Sequence, residues 1–303
     1  MYLYHFGLQE LPFNLTPDTE FYCELPVYHE AMNVLRMALE SGEGFVKVIG
    51  EVGTGKTMLC RNLLNYLDGR AQCAYLPNPY LSPNELRFAL ASELKIRATK
   101  NIDQYQLTQK IQNKIIKFHE QGLPVVVLVD EAQALPRETL EALRLFTNLE
   151  TEKKKLLQVV LLGQPELDRR LAEPELRQLR QRVSFSCNLK PLDQESMRIY
   201  INHRLRSAGL LMEHLPQAEL FENGAIKTLT RLSRGIPRLA NILAHKSLML
   251  AYGRGEYLIR SHHVKLAGKD TDDVQFNYWV AGLVVALFLA GGFSALMLSG
   301  WTA

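Results

Sequence analysis

An α/β domain built on a five-stranded parallel sheet, followed by an all-α domain and a single C-terminal transmembrane helix, is predicted by three observations. Residues 46–57, VKVIGEVGTGKT, read as a strand running straight into a glycine-rich loop. Residues 124–130, PVVVLVD, form a continuous β-branched run, the pattern of a strand covered on both faces and so of parallel-sheet interior. After Asp273 no charged residue occurs, and residues 278–303 exceed the roughly 20 apolar residues needed to cross a bilayer.

The composition fits that division. With 303 residues, 47% hydrophobic and 22% charged, the chain has material for a full core and is not a disordered polymer. A formal charge of +3 is too small to argue for a nucleic-acid partner. Cys23, Cys60, Cys73 and Cys187 have no C-x-x-C spacing, so free thiols are expected, three of them as small core residues. The histidines include no H-x-x-x-H, and His262 and His263, adjacent on a helix, are expected to point apart. No structural metal site is expected.

In order, residues 1–45 hold a turn-rich lead, in which Pro12 and Pro17 rule out a long helix, and a helix from Pro26 that Gly42 and Gly44 stop. Tyr28 and His29 on it are candidates to pack on an adenine, with ordinary helix packing as the alternative. Next comes the loop Gly50, Glu51, Val52, Gly53, Thr54, Gly55, Lys56, Thr57, Met58, which satisfies G-x-x-x-x-G-K-[ST]. Gly53 and Gly55 permit positive φ, so successive N–H groups can line an anion-sized concavity. Lys56 would reach the β- and γ-phosphates of ATP, Thr57 would ligate Mg2+, and the helix from Met58 to Leu67 would add its N-terminal dipole.

A second strand is expected at 72–76, then helices at 83–94, with Ser82 as N-cap, and at 103–121. The strand 124–130 ends in Asp130 and Glu131. Asp130 would hold Mg2+ through water and Glu131 would orient or deprotonate the attacking water. A helix at 136–148 leads to a fourth strand, 156–162, and Gln164 after it is the candidate sensor of the γ-phosphate, with a turn-stabilising role as the alternative. A helix carrying Arg177, Arg180 and Arg182 precedes the fifth strand, 183–187. Arg182 is chosen as the cation that enters a neighbouring subunit's site, with Arg180 as runner-up.

Beyond residue 190 the β-runs give way to helices at about 194–208, 223–234, 237–252 and 261–267, with Gly235 and Gly253 as C-caps. Arg238 lies in the first turn of the third. A cation is disfavoured there unless an anion compensates it, so Arg238 is expected to reach the γ-phosphate from this lid. The divisions are therefore 1–45, a lead and helix packing on the nucleotide domain; 46–190, the α/β domain; 191–270, the lid; and 275–303, the anchor. Trp279 and Trp301 are about 33 Å apart along a helix, matching an apolar slab with aromatic belts. With the Lys- and Arg-bearing body ahead of it, the anchor predicts a single-pass membrane protein whose ATP-binding part faces the cytoplasm. Gly282, Ala286, Ala290 and Ser294 give one face of small residues on which a second helix could pack.

Taken in order, GEVGTGKT, VLVDEAQ, LLGQPEL, LRQLRQRV and SRGIPR resemble the AAA+ ATPases of the type II secretion A-protein (ExeA/GspA) group, and within it the pilus-biogenesis ATPases of the mannose-sensitive haemagglutinin (MSHA) type, MshM. The resemblance covers residues 1 to about 270. It implies an AAA+ fold with a helical lid, ATP hydrolysis in a homo-oligomeric ring or partial ring, and Asp130, Glu131, Gln164, Arg182 and Arg238 in the roles above. It also implies partners among inner-membrane proteins of a type IV pilus or type II secretion apparatus. The secretion A-proteins continue past their membrane helix into a peptidoglycan-binding domain, whereas this sequence stops at Ala303, so direct peptidoglycan contact is not expected. Two alternatives stand beside this reading: a DNA-associated AAA+ ATPase of the transposition or replication type, and a slow nucleotide-dependent scaffold.

Overall fold

The computed structural model describes residues 2–16, 18–77, 80–99, 101–150, 155–210 and 219–274. They fall into two compact units, residues 16–191 and residues 1–15 with 192 onward.

In the first unit five parallel strands, β1 (Phe45–Ile49), β2 (Gln72–Leu76), β3 (Val125–Val129), β4 (Leu157–Gly163) and β5 (Val183–Asn188), are arranged in the order β2-β3-β4-β1-β5. Every residue of β3 and β4 is buried, which explains their almost wholly apolar sequence. Edge strand β5 instead alternates half-buried and exposed positions, as its sequence VSFSCN requires. One polar residue interrupts the buried run. Gln158 is 2% exposed and donates through Nε2 to the carbonyls of Leu39 and Glu43, tying the end of the helix Pro26–Glu40 to the sheet.

The flanking helices begin where their caps dictate. Ser82 accepts from the N–H of Glu85, whose side chain returns to the Ser82 N–H, a capping box with Pro83 at the first helical position. Asp103 caps Gln104–Glu120 in the same sense. The arginine-bearing region differs from expectation. A helix Pro165–Leu171 comes first, Pro174 opens a short 3-10 turn, Pro174–Leu176, and α-helix then covers only Arg177–Arg180, leaving Arg182 beyond its end.

The second unit packs Gln194–Ser207, Asn223–Ser233, Pro237–Gly253 and Ser261–Lys269. The first fifteen residues belong with it and not, as the sequence pattern suggests for the whole lead 1–45, with the nucleotide domain. Specific bonds are the reason: buried Arg204 donates through Nε to the Pro12 carbonyl (2.6 Å) and through Nη2 to that of Asn14 (3.0 Å), and the Tyr2 hydroxyl meets His245 Nδ1 at 2.9 Å. A short helix, Tyr2–Phe6, begins this segment. The C-caps also shift by a residue or two: Arg234 itself is left-handed ahead of Gly235, and the helix runs through Gly253 to a positive-φ Gly255.

Two smaller expectations change. Cys23 and Cys60 are buried, but Cys73 and Cys187 are only half-buried, so two cysteines and not three are core residues. The rings of His262 and His263 do not point apart; their centroids lie 3.9 Å apart because both side chains turn towards Glu256, just ahead of the helix. The cluster is not built for a metal. Buried His263 accepts the Arg260 N–H at Nδ1, so its proton sits on Nε2, the atom a metal would need.

The expected transmembrane helix, 275–303, lies outside the described residues. Among the described residues no helix is long and apolar enough to cross a membrane.

Candidate functional site

The sheet order decides what meets what. β1 pairs with β4, and β4 with β3, so the C-terminal ends of the three strands lie side by side. Those ends deliver the loop after Ile49, the carboxylates Asp130 and Glu131, and Gln164.

The loop has the expected backbone. Gly53 has φ +80° and Gly55 φ +98°, conformations that side-chain-bearing residues rarely adopt. Space is as restrictive as conformation: a Cβ on Gly50 would lie 2.6 Å from Thr54 Oγ1, and one on Gly55 3.0 Å from the Tyr28 hydroxyl. Thr54 Oγ1 donates to the Glu51 carbonyl (2.8 Å) and the Tyr28 hydroxyl to that of Thr54 (2.8 Å), so the loop is fixed from within and from the helix beside it. Tyr28 thus braces the loop, while His29 is exposed and pairs with Glu24 at 3.2 Å. The helix Lys56–Leu67 starts at Gly55 with no side-chain cap, which leaves its first N–H groups available to an anion.

Lys56 is 4% exposed and donates to the carbonyls of Gly50 (2.7 Å) and Glu51 (3.1 Å). Burial pulls its ammonium pKa below the ordinary value, against the opposing pull of Glu131, Asp130 and Glu51. Thr57 Oγ1 donates to Asp130 Oδ2 at 2.9 Å, placing a hydroxyl and a carboxylate oxygen where both can hold one hard cation. These two residues fit Mg2+ by donor chemistry, and the glycine cradle fits a phosphate chain.

Glu131 follows at once, in left-handed conformation with φ +51°. Its Oε2 accepts from Gln133 Nε2 (2.6 Å) and Gln164 Nε2 (2.9 Å). Burial raises the Glu131 pKa, but these two bonds and the Lys56 charge outweigh it and hold the carboxyl below the ordinary range. Gln164, expected as a sensor, therefore stands beside the expected base. Gln133 was not singled out by its pattern; an amide two residues after Glu131 is its only sequence signal.

The arginines are less closely gathered. Arg182 donates through Nη1 to Asn148 Oδ1 (2.6 Å), Thr147 Oγ1 (3.2 Å) and the Arg144 carbonyl (3.4 Å), at the end of the helix Arg137–Phe146. Arg180 is exposed and makes no hydrogen bond or ion pair among the described residues. Arg238 is exposed in the first turn of Pro237–Gly253, in the helical unit.

The AAA domain family matches residues 38–171. General secretion pathway protein A of Aeromonas hydrophila is 40% identical over 302 residues, covering 99% of this chain and 53% of that protein. The chain is thus similar to an AAA domain in part and to General secretion pathway protein A along nearly its whole length. It spans about half the length of this curated relative. Solved structures share the fold: Cdc6p of Pyrobaculum aerophilum, with a TM-score of 0.63 and 17% identity over 86% of this chain and 70% of that one, and the RuvB Holliday junction branch migration motor of Thermotoga maritima, with 0.52 and 18% over 87% and 75%. At such identities the likeness concerns the fold alone. The loop at 50–58 follows β1 and the carboxylates at 130 and 131 follow β3, so both stand at the C-terminal edge of the sheet.

Proposed function

We propose that the chain is a membrane-anchored AAA+ ATPase that binds ATP with Mg2+ and hydrolyses it to support assembly of a type II secretion or type IV, MSHA-like, pilus apparatus. The observation that carries the catalytic part is the meeting of Lys56, Thr57, Asp130, Glu131 and Gln164 at the ends of three adjacent strands. The backbone N–H groups of residues 50–58 and Lys56 bind the phosphates; Thr57 and Asp130 hold Mg2+, which would neutralise charge on the β- and γ-phosphates. Glu131 takes the proton of the attacking water as it adds to the γ-phosphorus and the β–γ bridging oxygen leaves with ADP. Gln164 reads the γ-phosphate. Arg238 does so from the helical unit, coupling hydrolysis to lid motion.

A neighbouring copy supplies a further cation. Arg180, exposed and unengaged, suits that role better than Arg182, whose donors already serve the helix Arg137–Phe146. The apolar, charge-free run 278–303 supports a single-pass anchor in the inner membrane with the ATPase body cytoplasmic. The envelope role rests on the 40% identity to General secretion pathway protein A, and the pilus reading on the ordered motifs.

The test is ATP turnover per subunit of the full chain in detergent, across a protein titration, with and without duplex DNA. Mg2+-dependent turnover that rises with protein concentration and ignores DNA supports the reading; Glu131→Gln should keep ATP binding and lose at least a hundredfold in turnover. Absent turnover refutes the catalytic reading, and strong stimulation by DNA refutes the envelope-assembly one.

A further inference from the structure

We infer that Gln133 is a positioning residue that fixes the carboxylate of Glu131 and joins it to Gln164, an inference that rests on the ATP-hydrolysis reading above. The amide of Gln133 is used at both ends. Nε2 donates to Glu131 Oε2 at 2.6 Å, and Oε1 accepts the backbone N–H of Gln164 at 3.0 Å. Gln164 then returns through its own Nε2 to the same Oε2, at 2.9 Å, closing a three-residue ring of hydrogen bonds. The Gln133 carbonyl is in turn held by the Arg170 guanidinium.

This arrangement does two things to Glu131. Two donors on Oε2, both neutral amides, fix the carboxylate's rotation. Oε1 is left with no donor among the described residues and is the oxygen available to a water. The charged groups about the carboxylate are Lys56 and Asp130, with Arg170 behind Gln133.

Gly163 supplies independent support. A Cβ there would lie 3.1 Å from Gln133 Oε1 and 2.8 Å from Leu167 Cδ2, so the last position of β4 leaves room for the amide. Of the four groups, Glu131 and Gln133 come from the end of β3, and Gln164 and Arg170 from the end of β4 and the helix after it. Gln133 is the side chain bonded to both strand ends at once.

Gln133→Ala and Gln133→Glu in the full chain separate positioning from mere structure. Gln133→Glu can still accept the Gln164 N–H, but it places a second carboxylate against Glu131. It loses the donor to Glu131 Oε2 and should lower kcat roughly tenfold. Gln133→Ala removes both bonds and should lower kcat by at least as much, with the ATP affinity of either variant, read by a fluorescent ATP analogue, within about twofold of wild type. A structural role alone would lower melting temperature and affinity together. Wild-type kcat in both variants overturns the inference, as does a loss of kcat matched by a loss of affinity. Should Gln133→Ala not fold, the near-isosteric Gln133→Glu decides alone. Absent turnover in the wild type is a different failure, that of the hydrolysis reading itself, and removes this inference with it.

Discussion

Replacing Gly55 by alanine sets two costs of the phosphate loop against one neighbour. At φ +98° an L-residue carries about 1–2 kcal/mol of backbone strain. The new Cβ would also lie 3.0 Å from the Tyr28 hydroxyl and 3.2 and 3.3 Å from ring atoms Cε1 and Cζ. Tyr28 is 7% exposed, so it has little room to retreat. Moving it breaks its 2.8 Å bond to the Thr54 carbonyl, about 1 kcal/mol more. The sum, about 2–3 kcal/mol, corresponds to a fall of roughly 4–12 °C in the melting temperature of a domain of this size. Tyr28→Phe alone should cost about 1 kcal/mol. In that background the hydrogen bond and the hydroxyl contact are already absent, so Gly55→Ala should cost about 1 kcal/mol less than in the wild type. Thermal unfolding of the four proteins of this cycle, followed by circular dichroism, measures the coupling. Additivity within about 0.5 kcal/mol would show that Tyr28 is not the obstacle, and an unchanged melting temperature for Gly55→Ala would refute the backbone argument as well.

Other outcomes are expected. Lys56→Ala should abolish binding of a fluorescent ATP analogue, because the buried ammonium is the one cation among the residues of the loop; retained affinity would remove the loop from nucleotide binding. Arg204→Leu strips the bonds to the carbonyls of Pro12 and Asn14, should cost roughly 2–4 kcal/mol, and should make the first fifteen residues the earliest site of limited proteolysis. Burial pushes the thiols of Cys23 and Cys73 up to about 11 and raises Cys60 as well, so at pH 8 all three are neutral; alkylation of the folded protein, read by mass spectrometry, should leave Cys60 last. Removing residues 274–303 should move the protein from the membrane to the soluble fraction, and a full chain that is already soluble would exclude the anchor.

All five strands are legible in the sequence to within a residue or two. β3 and β4 are apolar throughout except at Gln158, and β1 is pinned by the glycine loop that follows it. Helix starts are legible where a side chain makes the cap, as at Ser82 and Asp103. Other features depend on distant partners and leave no local mark. The lead joins the helical unit because Arg204, some 190 positions later, captures its carbonyls. Arg182 looks like a free basic residue until the helix Arg137–Phe146 folds beside it. Gln133 reads as a loop amide; only the pairing of β3 with β4 brings it to Gln164.

The same pairing accounts for the separate use of two adjacent carboxylates. Asp130 stays with the strand: its N–H bonds the Leu76 carbonyl of β2, and its Oδ2 meets Thr57. One residue later the backbone turns left-handed, at a cost of about 1–2 kcal/mol for a residue other than glycine. Four bonds offset that strain: the Glu131 N–H donates to Asp130 Oδ1, the Glu131 carbonyl accepts from Ala134, and the side chain accepts from both glutamines. The turn carries Glu131 away from the Thr57–Asp130 pair and towards Gln164 at the end of β4. Straight strand geometry would send consecutive side chains to opposite faces of the sheet. The left-handed residue lets the chain keep both carboxylates at the sheet's C-terminal edge, Asp130 beside Thr57 and Glu131 beside Gln164, so that one can hold a cation while the other remains free to accept a proton.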